Sequence, residues 1–89
     1  MSGRYLEVTY RNGRPFAAYL YLPRGAAVRS ARTESVGDGL VIDLDANGSP
    51  IGLEITAPGS VSQDEINSVL VRYGQPRLSP EELAPLAAA

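Results

Sequence analysis

The densest set of oxygen ligands in this 89-residue chain is Asp43-x-Asp45-x-Asn47-Gly48-x5-Glu54, which satisfies the written pattern of an EF-hand calcium loop. Such a loop offers oxygens at alternate positions and closes with a bidentate glutamate, but it also needs a helix on each flank. Here Leu40, Ile42 and Leu44 before the pattern, and Ile51, Leu53 and Ile55 around its end, alternate with a period of two. That period belongs to strands. The acids are therefore expected on the outer face of a sheet, Asp43 opposite Gly52 and diagonal to Glu54, with Asp45 opposite Pro50. This describes a solvated acidic face, so neither a metal nor a cofactor is expected.

Catalysis finds little to work with. The chain has no His, Cys or Lys to activate a nucleophile. A carboxylate pair such as Asp43 and Glu54 could move protons, but an exposed sheet face offers no pocket to shift their pKa values, and the protein is read as not an enzyme. Tyr10, Tyr19 and Tyr21 with Arg11, Arg14 and Arg24 could form a stacking platform with a basic rim for single-stranded nucleic acid. Against this, eight basic and ten acidic residues give a net charge of -2 and no global attracting field. Tyrosines also fill small cores and interfaces. Nucleic acid is accordingly not the expected partner. Gly52 either leaves room for a ligand on its strand or relieves crowding beside Asp43, and the second reading is preferred.

The elements that must position these residues are mostly strands. Residues 39–45 and 50–56 read as a hairpin around an Asn47-Gly48 turn, which places Leu44 opposite Ile51, Ile42 opposite Leu53 and Leu40 opposite Ile55. Residues 4–10 form a first strand, with Leu6, Val8 and Tyr10 on one side. Residues 16–22 form a second that is apolar on both faces and needs cover on two sides. A three-residue turn with Gly13 in a bulge would pair Val8 with Phe16 and Leu6 with Ala18, and it is preferred to a two-residue Asn12-Gly13 loop. Pro23-Arg24-Gly25 breaks the second strand. Residues 27–36 are polar and read as an exposed third strand, whose Arg29 and Arg32 protect an edge.

Ser62-Gln63-Asp64-Glu65 is a capping box, with Val61 and Ile66 placed for a hydrophobic staple. Ile66, Val69, Leu70 and Tyr73 continue an apolar stripe, and Gly74 can take the left-handed position after the last turn. A helix is predicted from Gln63 to Tyr73. Leu78-Ser79-Pro80-Glu81-Glu82-Leu83 repeats the cap logic, and Pro85 stops it after about one turn. The alanines 87–89 read as a frayed tail. The expected organisation is one domain over 1–78, followed by a short helical turn and tail over 79–89.

The absence of cysteine suits a reducing cytoplasm, and neither a signal-like hydrophobic region nor a membrane span is visible. A helix about 18 Å long cannot cover five strands spanning about 24 Å. Leftover apolar surface around Tyr19 and Tyr21 therefore implies a homodimer.

Gly39-Leu40-Val41-Ile42-Asp43-Leu44-Asp45-Ala46-Asn47-Gly48 followed by Ile51-Gly52-Leu53-Glu54-Ile55 closely resembles the uncharacterised prokaryotic family called domain of unknown function 2283. Ala17-Ala18-Tyr19-Leu20-Tyr21-Leu22 and Arg32-Thr33-Glu34 are similar to further elements of that family, so the resemblance covers about residues 5–56. Acidic residues usual in its first turn are replaced by Arg11 and Phe16, and Tyr21 stands where a cation is usual. The family supplies no activity. Some relatives are encoded beside small toxin-type proteins, so the resemblance implies an antitoxin-like or regulatory partner role.

The sequence thus predicts an α+β fold: an antiparallel β-meander of about five strands packed by one C-terminal amphipathic helix. Its expected function is that of a small non-enzymatic binding or assembly module acting as a homodimer. The first alternative is a regulatory partner of another small protein, and a metal- or nucleic-acid-binding domain ranks third. The candidate interaction surface comprises Arg29, Arg32, Asp43, Asp45, Glu54, Tyr19 and Tyr21.

Overall fold

The computed structural model describes residues 3–23 and 28–86. Arg24 and Gly25 of the expected strand break, and the alanine tail 87–89, lie outside the described residues. Five strands form one antiparallel sheet: β1 (Tyr5–Arg11), β2 (Arg14–Tyr21), β3 (Arg32–Gly37), β4 (Leu40–Leu44) and β5 (Pro50–Ile55). Their order across the sheet is β1-β2-β5-β4-β3. This corrects the expected meander. The chain runs as a hairpin through β1 and β2, crosses to the far edge to begin β3, and then returns strand by strand until β5 pairs with β2.

Alternation fixes what each strand buries. Leu40, Ile42 and Leu44 of β4, Leu53 and Ile55 of β5, and Ala18 and Leu20 of β2 all face one side and are almost fully buried. Helix α1 (Gln63–Arg72) covers that side with Ile66, Val69 and Leu70. Its start follows the reciprocal cap: the Glu65 amide donates to Ser62 Oγ at 3.1 Å and the Ser62 amide to Glu65 Oε1 at 2.9 Å. Its end is a Schellman motif in which the Gln75 amide donates to the Leu70 carbonyl and the Gly74 amide to that of Val71.

The C-terminal part is not one helix. A 3-10 turn (Pro58–Ser60) precedes α1, and a four-residue helix α2 (Pro80–Leu83) and a second 3-10 turn (Ala84–Leu86) follow it. Leu78 and Leu83 join the core. Two side chains fasten this segment. Asn67, buried on α1, accepts from the Leu78 amide at 2.7 Å and donates to the Leu78 carbonyl at 3.3 Å. Arg4 donates to the carbonyls of Pro76 and Arg77 and lies 3.6 Å from Glu82. The Ser79 amide, and then Arg4, hold the Glu82 carboxyl below the ordinary glutamate value.

Both hairpins depart from their expected registers. In the first, Asn12 and Gly13 have φ of 54° and 76°, the two-residue type I′ arrangement and not the expected three-residue turn. A bulge then skips Phe16, so that Leu6 faces Leu20 and Val8 faces Ala18. The aliphatic side chains still share one face, while Phe16 is 50% exposed with the Arg11 guanidinium 4.3 Å above its ring.

In the second hairpin, Leu40 faces Ile55, Ile42 faces Leu53 and Asp43 faces Gly52 as expected, but Leu44 faces Pro50 and not Ile51. The cause is Asp45. Its Oδ1 accepts from the amides of Asn47 and Ser49 at 2.8 and 2.9 Å, and its carbonyl accepts from Gly48. Ala46 and Asn47 thereby become the central turn residues, and Gly48 takes the left-handed position at φ 82°.

Candidate functional site

The side of the sheet opposite α1 carries the odd-numbered residues of β1, β2 and β4 and the even-numbered ones of β5, a consequence of strand alternation and the observed register. Tyr5, Glu7, Tyr19, Tyr21, Val41, Asp43, Gly52 and Glu54 share it. The rings of Tyr5 and Tyr21 stack with centroids 4.5 Å apart, and Tyr19 meets Tyr21 edge-on at 4.7 Å. The Tyr21 hydroxyl donates to Glu7 Oε1 at 3.1 Å.

The Tyr19 ring extends across β5 and donates its hydroxyl to Asp43 Oδ2 at 2.6 Å. Gly52 makes this crossing feasible, because a Cβ there would overlap the Tyr19 ring and hydroxyl. The space that a glycine leaves on this strand is filled by the chain's own tyrosine. It is neither a vacant ligand notch nor merely relief for Asp43.

The structure separates other residues that the sequence grouped. Glu54 is exposed opposite Tyr19 and Val41, whereas Asp45 leaves the strand and spends Oδ1 on its own turn. The calcium-like string thus runs through β4, a turn and β5 without the flanking helices of its pattern. Tyr10 lies on the opposite side of β1 from Tyr5 and Glu7, so it does not join Tyr19 and Tyr21 in one platform. Arg11 and Arg14 sit at the hairpin end, and Arg24 lies outside the described residues.

Arg29 precedes β3 and lines a shallow groove with Asp45, Ala46 and Asn47, while Arg32 opens the strand itself. β3 forms one edge of the sheet, and five of its six residues are exposed. Arg32 and Glu34 face the α1 side, since they stand opposite Leu44 and Ile42. Arg32 Nε lies 3.3 Å from Glu34 Oε2, and Glu34 Oε1 accepts from the Tyr73 hydroxyl at the end of α1 at 3.3 Å. Sequence reasoning missed the roles of Tyr5, Glu7 and Glu34. Their alternation marked a face, but their partners lie on other strands or on α1.

Residues 17–57 match the family described as Protein of unknown function (DUF2283). The DUF2283 segment contains most of β2 and all of β3, β4 and β5, and therefore both ends of the Tyr19–Asp43 bond together with Gly52 between them. β1 and α1 fall outside the match, which is shorter than the expected stretch of about residues 5–56. Comparison with curated proteins and with solved structures finds no match. Among the described residues no helix is long and apolar enough to cross a membrane.

Proposed function

We propose that this protein is a small non-enzymatic binding and assembly module that acts as a homodimer in the cytoplasm. The observation that carries the proposal is the edge at β3, which pairs on one side only among the described residues. A strand at a sheet edge leaves alternate backbone donors and acceptors unpaired, and a second chain can add to it by β-augmentation. β3 is short, polar and mostly exposed, so pairing there uses backbone hydrogen bonds without first uncovering the core. Light scattering at micromolar concentration is expected to give twice the chain mass. A monomer at that concentration overturns the reading.

The face opposite α1 favours a second reading, that of a regulatory partner for another small protein. Glu7, Asp43 and Glu54 lie there beside Tyr5, which is 60% exposed. Among the described residues the two ion pairs, Arg4–Glu82 and Arg32–Glu34, lie off this face. A tyrosine surface rimmed by unneutralised carboxylates suits a partner with cationic side chains. Pull-down of neighbouring gene products, lost on Glu54→Arg, tests it. Capture that is indifferent to this substitution counts against that face.

A further inference from the structure

The edge strand carries a self-complementary charge pattern. We infer that two copies of this chain pair antiparallel through β3 with Thr33 opposite Thr33 of the second copy, so that Arg32 of each faces Glu34 of the other across the two-fold axis. This rests on the assembly reading above and deepens it by naming the surface and its register.

A two-fold perpendicular to the sheet keeps both helix layers on one side and requires facing residues to share a face. That leaves few ways to align β3 with itself. Centring on Arg32 sets arginine against arginine, and centring on Glu34 sets glutamate against glutamate. Centring on Ser35 places Glu34 against Val36. Within β3 only the Thr33-centred alignment puts opposite charges face to face, and it does so twice, since the Asp38 that a Ser35-centred one would set against Arg32 lies past the strand in the turn.

The required side chains are already arranged for it. Arg32 and Glu34 are about half exposed at the side chain and lie on the same side of β3, 3.3 Å apart. Tyr73 orients Glu34 through its hydroxyl. Pairing would extend from Ala31 to Ser35, short of the irregularity at Val36, and join two five-stranded sheets into one. Both edge ladders carry an irregularity, between Thr9 and Tyr10 on β1 and between Ser35 and Gly37 on β3, and the Thr33-centred pairing lies N-terminal to the one on β3.

The test uses Arg32→Glu and Glu34→Arg, alone, combined in one chain, and as a mixture of the two single variants. Sedimentation across a dilution series is expected to show each single variant dimerising at least about tenfold more weakly than the native chain, because each turns both attractive pairs repulsive. The combined variant restores the pattern with its signs exchanged and should regain the native affinity. The mixture sets an all-acidic edge against an all-basic one and should give heterodimers, with circular dichroism showing each chain folded. A monomeric native chain overturns the assembly reading itself. A native dimer that neither reversal weakens leaves that reading standing and overturns this register, as does a folded mixture that fails to pair.

Discussion

The two faces of this sheet are closed by different chemistry. On the α1 side, Leu20, Leu40, Ile42, Leu53 and Ile55 meet Ile66, Val69 and Leu70, and burial of aliphatic surface holds them together. On the other side, among the described residues, no helix packs against the tyrosine cluster, and three rings and two carboxylates lie over the strands with stacking and hydroxyl hydrogen bonds. The first kind of closure depends on volume and tolerates little change of size. The second depends on direction, because it needs the Tyr19 hydroxyl to reach one carboxylate over one glycine. Volume closure should be the more costly to break, and directional closure the more sensitive to where a single atom is placed.

The sharpest way to break the covered side is Leu53→Ala. Leu53 is 0% exposed on the central strand and packs in the cluster shared by the sheet and α1. Truncation should lower unfolding free energy by about 2–5 kcal/mol, and the cavity can relax little between paired neighbours. Urea denaturation measures it. A loss below about 1 kcal/mol would mean that the two faces do not differ as described.

On the tyrosine face, the comparable change is Gly52→Ala. The added methyl needs the space of the Tyr19 ring, so Tyr19 must swing away and release Asp43. Loss of a hydrogen bond to a charged acceptor sets the expected cost at about 1.5–3 kcal/mol. Tyr19→Ala removes the obstacle beforehand, so the two substitutions should be strongly non-additive, with a coupling of about 1 kcal/mol or more in a double-mutant cycle. Additive losses would show that the ring does not occupy that space in solution.

The same division explains how much could be read from the chain itself. The start and end of α1 were legible because Ser62 with Glu65, and Gly74 with the last turn, act within a few residues of one another. The pairing of Leu40, Ile42 and Asp43 with β5 was legible because alternation admits one register that buries the aliphatics. The exact turn was not, because the Asp45 carboxylate competes for two backbone amides and draws the turn one residue toward Ala46. The crossing from β2 to the far edge left no periodic trace, and neither did the clamp of Asn67 on Leu78, eleven residues away. At the candidate site, the surface character of Asp43, Glu54 and Arg32 could be read from alternation. The reach of Tyr19 over Gly52 could not, since three strands must first be placed side by side.

The smallest expected effect separates the string Asp43-x-Asp45-x-Asn47-Gly48-x5-Glu54 from the shape it adopts. A calcium loop needs its carboxylates to converge on one ion from a wrapped backbone. Here Asp45 Oδ1 already accepts two amides and Asp43 accepts the Tyr19 hydroxyl, while Glu54 stands on the neighbouring strand. Gathering them around an ion would sacrifice the Asp45 turn and the Tyr19 bond together, losses that the electrostatic attraction of exposed carboxylates for calcium would have to offset. Calorimetric titration with calcium should therefore show no saturation at micromolar concentration, and thermal stability should not rise when calcium is added. Saturable heat that disappears in Asp43→Asn would mean that the hairpin opens to form the loop its sequence spells, and the tyrosine face would then be a competitor of metal binding and not simply a cover for the sheet.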